Sequence, residues 1–441
     1  MKLNLEREKF SRSWQAVEHV AEIAGKDSKS DTSKIISGIL IKAEQNGRVT
    51  LEATNLASSS VKCVAQGVEV QEPGQCLLPV AIAGNILKKS KSANFTLEVN
   101  DNNAILSSGR NKTRFAILPA EKFPNIPQSY SADFFCDLPA GDLIKITTES
   151  MSASSQPSDF PKYLGTCFYD TKGNNVNAVA TDGKRIAISQ AMCNSDADHN
   201  ILLPAAALKD LVKTLGLYEP FTKVTIKYDG STAWFLMGEN DFETEFAIRR
   251  VESNFPGYDK ILNNDIKASA IISCKDLLSA IERVDIIAKG NPNHVAAITL
   301  NPGDEMQIIA RAPGLGTATE FVKADIQGEF MRVGFNVMFL QEGLKAFVQG
   351  SAQTIAQVDL RIEFSDPEGQ TRIYRNNDNS FLYMVMPVRL AKQDYEDDES
   401  ENNNGSENNS SENQNDQYEN YDAPENNNFE NNPENFNEYQ N

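Results

Sequence analysis

The sequence predicts an α+β fold in which one unit, made of antiparallel strands and two helices, occurs three times and is followed by a disordered acidic tail. Three observations predict it. A helix-and-strand pattern recurs about every 130 residues, the stretches between helices alternate with period two, and the composition changes abruptly after Leu390. At roughly 100–200 residues per domain, a chain of 441 residues holds about three domains and a tail.

The elements follow in order. Phe10, Trp14, Val17 and Ala21 lie at i, i+4, i+7 and i+11, one face of a helix. Ala53-Thr54-Asn55 closes a strand-like run, Leu77-Leu78-Pro79 leads into a second helix, and Phe123-Pro124 ends the first unit. The second unit repeats this. Leu143, Ile144 and Ile146 follow Leu138-Pro139, with Leu143 lying 133 residues after Phe10. Ala180-Thr181-Asp182 comes 127 residues after its first copy, Leu202-Leu203-Pro204 comes 125 after, and Phe255-Pro256 closes the unit. In the third, Leu277, Ile281 and Val284 share a helix face, and Ala310-Arg311-Ala312 stands 130 residues after Ala180. Val333-Gly334-Phe335-Asn336 then leads into Val337, Leu340, Leu344 and Phe347 at helical spacing. Between the helices, Phe95–Val99, Val224–Tyr228 and Val358–Ile362 alternate apolar with polar, as antiparallel strands with one solvated face do. The period is too long for a solenoid and indicates duplicated domains, expected at 1–127, 128–262 and 263–390, with the tail at 391–441.

Charge separates tail from body. The chain has 42 basic and 61 acidic residues, net −19. Fifteen of the acids and a single base, Lys392, fall in 391–441, so the body carries 41 bases against 46 acids, net −5. The tail is Asn/Glu-rich with isolated aromatics, a composition that cannot bury a core. The tail leaves directly from Leu390, so it is either a solubilising extension or a weak internal competitor for whatever binds the body. No apolar run reaches the ~20 residues of a membrane helix, and Met1–Phe10 is no secretion signal. Six scattered cysteines without a C-x-x-C pair suit reduced, buried thiols in a cytoplasmic protein. His19, His199 and His294 are isolated, and no H-E-x-x-H, phosphate-loop or nucleophile-elbow motif occurs. Gly314-Leu315-Gly316 follows Pro313 and lacks the third glycine of a dinucleotide loop, so it is expected to be a turn. The residues assemble no catalytic constellation, and neither an enzyme nor a cofactor is expected.

The ordered set of motifs resembles one family. Ala180-Thr181-Asp182-Gly183-Lys184-Arg185-Ile186-Ala187, Phe255-Pro256-Gly257-Tyr258, Gly334-Phe335-Asn336-Val337 and Tyr383-Met384-Val385-Met386-Pro387-Val388-Arg389-Leu390 are similar to the bacterial DNA polymerase III beta subunit, the sliding clamp. Ser37-Gly38-Ile39-Leu40, Arg114-Phe115, Leu118-Pro119-Ala120, Phe123-Pro124 and Tyr163-Leu164 add to it. The resemblance spans residues 1–390. It implies a homodimeric ring of six domains, with sheets outside and helices lining a hole for duplex DNA. Such a ring tethers the replicative polymerase and other proteins bearing a clamp-binding motif, is opened by a clamp loader, and needs no cofactor. The alternative is a clamp-like hub that collects peptides without encircling DNA.

The resemblance also implies sites. A pocket for a peptide bearing Gln and then Leu and Phe maps to Leu164, Thr181, Gly183, Lys184, Arg185, Ile186, Pro256, Lys260 and Ile261. Its far wall is Met384, Val385, Met386, Pro387, Val388, Arg389 and Leu390, with Arg185 and Arg389 as rim donors. The family often carries His at Lys184 and Arg at Lys260, which bears on the peptide preferred. Alone, Tyr383–Leu390 reads as a terminal core strand; together with Thr181–Arg185 and the other motifs it reads as the pocket wall. DNA contacts map to Lys26, Lys29, Gln156 and Tyr163. The family's basic residues after Pro204 are Ala205, Ala206 and Ala207 here, which moves the expected charge to Lys209 and Lys213. Further helix cations are Arg12, Lys88, Lys89, Lys91, Lys145, Arg283 and Lys345. The dimer interface pairs edge strands, with Phe115 and Ile117 on one side and Ile286 and Ile287 on the other, residues that could equally serve the domain cores.

Overall fold

In the computed structural model the described residues are 1–24, 30–100, 102–155, 161–239, 241–261, 265–348 and 358–390. The tail, Lys26, Lys29 and Gln156 lie outside them. Through Ala116 the chain forms β1 (Lys2–Glu6), α1 (Arg7–Ala24), α2 (Asp31–Ile36), β2 (Gly38–Ala43), β3 (Val49–Thr54), β4 (Ser59–Val64), β5 (Val68–Glu72), β6 (Gly74–Pro79), α3 (Val80–Lys89), β7 (Asn94–Asn100), β8 (Asn103–Ser108) and β9 (Asn111–Ala116). Next come β10 (Asp133–Pro139), α4 (Ala140–Met151), β11 (Thr166–Lys172), β12 (Asn175–Thr181), β13 (Arg185–Met192), β14 (Asn200–Pro204), α5 (Ala205–Leu215), β15 (Lys223–Tyr228), β16 (Thr232–Glu239) and β17 (Phe242–Arg249). The last stretch holds β18 (Ala268–Ser273), α6 (Cys274–Ala288), β19 (Val295–Leu300), β20 (Gly303–Ala312), β21 (Gly316–Gly328), β22 (Met331–Asn336), α7 (Val337–Ala346), β23 (Asp359–Phe364), β24 (Thr371–Arg375) and β25 (Asp378–Val385).

Local chemistry sets the helix starts. Pro79, Pro139 and Pro204 end strands and immediately precede α3, α4 and α5. Proline's fixed φ and missing N–H suit that junction. Ser273 and Asn336 instead cap α6 and α7 by accepting from the backbone N–H of Asp276 and Phe339. The apolar faces read from the sequence point inward. Phe10, Trp14, Val17 and Ala21 on α1 and Leu277, Ile281 and Val284 on α6 are all buried. The longer helices pack in sequence-consecutive pairs, α1 with α3, α4 with α5 and α6 with α7.

Sheets run across the unit boundaries. β17 pairs antiparallel with β4, from Thr244 opposite Cys63 to Ile248 opposite Ser59. β25 pairs with β13 in the same manner, from Arg185 opposite Val385 to Ser189 opposite Phe381. The first two units share one core. Arg12 lies over the Phe242 ring at 4.5 Å and donates from Nε to the Leu217 carbonyl at 3.1 Å. It is therefore turned into this joint and away from any free helix face. At the second joint, buried Glu149 of α4 accepts from Arg375 and from Ser189 of β13, at 2.5 Å each.

The strand edges left unpaired within the described residues include those of β9 and of the first part of β21. β9 pairs only with β8. The first part of β21, from Gly316 to Lys323, pairs only with β20, because β18 takes Ala324 to Gly328.

Candidate functional site

The turn from β12 to β13 is built by its own side chains. The Thr181 hydroxyl donates to the Arg185 carbonyl at 2.6 Å and accepts from the Gly183 N–H at 3.0 Å. Asp182 Oδ1 accepts from the N–H groups of Lys184 and Arg185 at 2.9 and 3.1 Å. Gly183 has φ +84°, which favours glycine. Beyond β25, the Met386 N–H donates to the Lys184 carbonyl at 2.9 Å, and the Val388 N–H donates to the Gly334 carbonyl at 2.8 Å. The end of the described chain is thus stitched to both the second and third units. A side chain at Gly334 would collide with the Val388 carbonyl.

Between these strands lies an apolar floor. Ile186 stands opposite Met384, and Ile188 opposite Leu382. Val179, Ile186, Tyr258, Leu382 and Met384 form one buried cluster, edged by half-buried Phe168, Ile188, Phe255 and Tyr374. Phe168 stacks on Phe255 with centroids 4.9 Å apart, and Tyr163 meets Phe255 edge-on at 5.8 Å. The linker after Phe255 is tied down. The Tyr258 hydroxyl donates to Asp170 at 2.8 Å, and Lys172 bridges Asp259 at 2.7 Å and Asp170 at 3.4 Å. Burial raises the Tyr258 phenol well above its ordinary value, so it stays a donor. Met386 and Ile261 expose apolar surface, 41% each, at the mouth. Pro256, Pro387, Val388, Leu390 and Leu164 are half-buried, and Lys184, Lys260 and Arg389 are exposed.

Two expected roles are corrected. Arg185 is not a rim donor. It is buried, its Nε pairs with Asp182 at 2.9 Å, its Nη2 with Glu342 at 2.5 Å, its Nη1 donates to the Tyr383 hydroxyl at 3.1 Å, and it lies over Phe339 at 4.4 Å. Its donors are taken up within its own turn and at the joint with β25 and α7. Val385 is fully buried and belongs to the third unit's core, because strand alternation turns it away from Met384. Phe168, Val179, Ile188 and Leu382 belong to the floor, yet the sequence reading passed over them. Their signal was present as positions on four strands, without the register that brings them together.

The helix cations are mostly neutralised. Lys88 pairs with Glu18 at 2.7 Å, Lys213 with buried Asp210 at 2.9 Å, Arg283 with Glu320 at 2.6 Å and Lys345 with Glu282 at 3.4 Å. Lys145 donates to the Ser380 hydroxyl at 3.2 Å. Lys89, Lys91 and Lys209 are exposed with no ion-pair partner among the described residues. Phe115, on β9, is buried, and Ile117 is half-buried just beyond that strand. Ile286 and Ile287 sit on α6 rather than on an edge strand, Ile286 at 69% exposure and Ile287 packed against the third unit's core. Among the described residues no group of His, Cys, Asp or Glu could hold a metal, and no helix is long and apolar enough to cross a membrane.

The N-terminal domain family of the DNA polymerase III beta subunit matches residues 1–127, and its C-terminal domain family matches residues 259–389. The chain belongs to the DNA polymerase III beta subunit family. Relatives named beta sliding clamp include that of Vibrio cholerae, 26% identical over 393 residues, covering 88% of this chain and 100% of the relative. The Bacillus subtilis clamp is 24% identical over 382 residues, covering 85% and 97%. Among solved structures, the beta subunit of Thermotoga maritima aligns with a TM-score of 0.77 at 22% identity, covering 88% of this chain and all of its own. A Pseudomonas aeruginosa sliding clamp bound to griselimycin aligns with the same TM-score and identity. These structures establish the clamp fold, and sheet-joined units of antiparallel strands with paired helices are what this clamp-family chain displays.

Proposed function

We infer that this chain is a DNA polymerase processivity factor, a clamp that tethers a polymerase to duplex DNA through a peptide pocket. The observation that carries this reading is the apolar cradle closed by the β13–β25 pairing. Its floor of Ile186, Met384 and Leu382 and its mouth of Met386 and Ile261 suit the leucine and phenylalanine anchors of an extended peptide. Thr181, Gly183, Lys184, Pro256, Lys260, Pro387, Val388, Arg389, Leu390 and Leu164 frame it, while Arg185 and Val385 support it from behind.

The units run 1–127, 128–262 and 263–390, and two chains close a ring through the free edges. β9, with exposed Lys112 and Arg114, pairs with the first part of β21, where Phe321 is 56% exposed and Ile286 lies on nearby α6. Joining the edges removes two open templates for aggregation. DNA contacts come from Lys89, Lys91, Lys209, Lys213 and Tyr163, with Lys26, Lys29 and Gln156. These are backbone contacts without base readout, as sliding requires. The partners are double-stranded DNA, the replicative polymerase, a clamp loader and other proteins with a clamp-binding motif. The chain performs no chemistry of its own.

The test is molar mass by light scattering, then retention on circular DNA. A mass near twice 48.7 kDa that survives dilution, with retention lost on linearisation, is expected. A monomer at all concentrations, or retention indifferent to linearisation, overturns the ring.

A further inference from the structure

The joint between the first and second units repeats the peptide cradle's backbone with a different floor. The turn from β3 to β4, one residue longer, repeats the backbone bonds of the one from β12 to β13. The Thr54 hydroxyl donates to the Ser59 carbonyl at 3.0 Å and accepts from the Leu56 N–H at 3.1 Å, as Thr181 does with Arg185 and Gly183. Asn55 Oδ1 accepts from the N–H groups of Ser58 and Ser59 at 2.9 Å each, as Asp182 does from Lys184 and Arg185. Leu56 takes φ +56° where Gly183 takes +84°. The Arg249 N–H, one residue beyond Ile248 in the ladder, donates to the Ser58 carbonyl at 2.8 Å, as Met386 does to Lys184.

The register then aligns the floors. Ser60 stands opposite Ala247 where Ile186 stands opposite Met384, and Lys62 opposite Glu245 where Ile188 stands opposite Leu382. A cavity of about 380 Å³ opens here, lined by the serine-rich turn, by Asn125–Pro127 of the linker and by Thr232 and Arg249. Lys62 lies across from both Glu52 and Glu245, and Glu52 is held by Lys42 at 2.8 Å. Arg249, at the mouth, is exposed and makes no side-chain hydrogen bond or ion pair among the described residues.

We propose that this cleft is a second peptide-docking site, and that its occupant is an extended polar segment of another protein carrying Asp or Glu. The backbone cradle supplies the shape, the ring of hydroxyls takes the peptide's polar groups, and Arg249 takes a carboxylate. A leucine or phenylalanine anchor has no apolar floor to enter. The shape argument rests on reading the β13–β25 cradle as a peptide pocket; the polar floor and the mouth cation do not.

The experiment titrates the full chain with two fluorescein-labelled probes, read by anisotropy at 50 mM salt. One is the acidic octapeptide Gly-Ser-Asp-Asn-Asp-Ser-Asp-Asn, and the other is a peptide with Gln, Leu and Phe anchors. The acidic probe is expected to bind one per chain, to weaken at least tenfold in Arg249→Glu, and to be unchanged in Met386→Glu. The apolar probe should show the opposite pattern. The pair Ser60→Ile and Ala247→Met should cost acidic binding while leaving the apolar probe's first site intact. Absence of acidic binding, or binding indifferent to Arg249→Glu, overturns the second site. Failure of the apolar probe alone, with acidic binding still dependent on Arg249, overturns the first pocket and leaves the second standing.

Discussion

Replacing Arg375 by leucine should unlock the joint between the second and third units. Glu149 is fully buried, and Arg375 is its cationic partner at 2.5 Å. Arg375 also donates to the Phe347 carbonyl at 2.9 Å and lies 5.5 and 5.7 Å from the Phe347 and Phe381 ring centres. Removing one member of a buried pair strands the other, at a cost of about 3–5 kcal/mol. Burial already pushes the Glu149 carboxyl above the ordinary 4.5, against the pull of Arg375 and Ser189. A folded-state value above the unfolded one means that the folded chain binds more protons in the window above 4.5, so stability falls as pH rises through it. Without Arg375 that window extends upward, and the variant should regain stability as pH is lowered from neutral. The double variant Glu149→Gln, Arg375→Leu should lose less than the sum of the two singles, by about 2 kcal/mol, within the range for coupled neighbours. Urea unfolding followed by circular dichroism gives the totals. Hydrogen exchange on peptides covering 185–189 and 381–385 shows whether the β13–β25 pairing opens first. If each single change costs under about 1 kcal/mol and the two simply add, the pair does not hold the joint.

Further outcomes follow from the same geometry. Met384→Ser should weaken binding of a Leu/Phe-anchored peptide about tenfold, as losing a buried anchor contact implies, and leave DNA retention unchanged; anisotropy and the circular-DNA assay separate the two. Lys209→Ala should lower the slope of log affinity against log salt by about 1, as one lost phosphate contact does, whereas an unchanged slope would place Lys209 away from DNA. Ile286→Asp should shift the light-scattering mass toward 48.7 kDa. Native-state alkylation should stop at Cys193, because the other five thiols are buried and burial pushes those of Cys63, Cys76, Cys167 and Cys274 up to about 12 and raises Cys136 further; intact mass after labelling counts the reacted thiols.

Much was determined by the sequence alone, because it is written locally. The helix faces follow from spacings of three and four residues, the helix starts from a proline, serine or asparagine at one position, and the threefold repeat from order along the chain. The turn at Thr181–Arg185 is equally local, since its bonds join residues at most four apart. Tertiary structure alone decided which side each pocket residue faces. Met384 reaches the floor and Val385 the core, and only the register against β13, nearly 200 residues away, distinguishes them. Arg185 looked like a free donor until folding brought Tyr383 and Glu342 to it, 198 and 157 positions along the chain. The lysines and Arg283 of the helices looked available until Glu18, Asp210, Glu320 and Glu282 arrived from neighbouring turns and elements. The cleft at Arg249 was invisible for the same reason. Serine, alanine and a lysine facing a glutamate across the ladder carry no motif, and only the repeated backbone, seen in three dimensions, shows that they occupy the positions of a peptide pocket's floor.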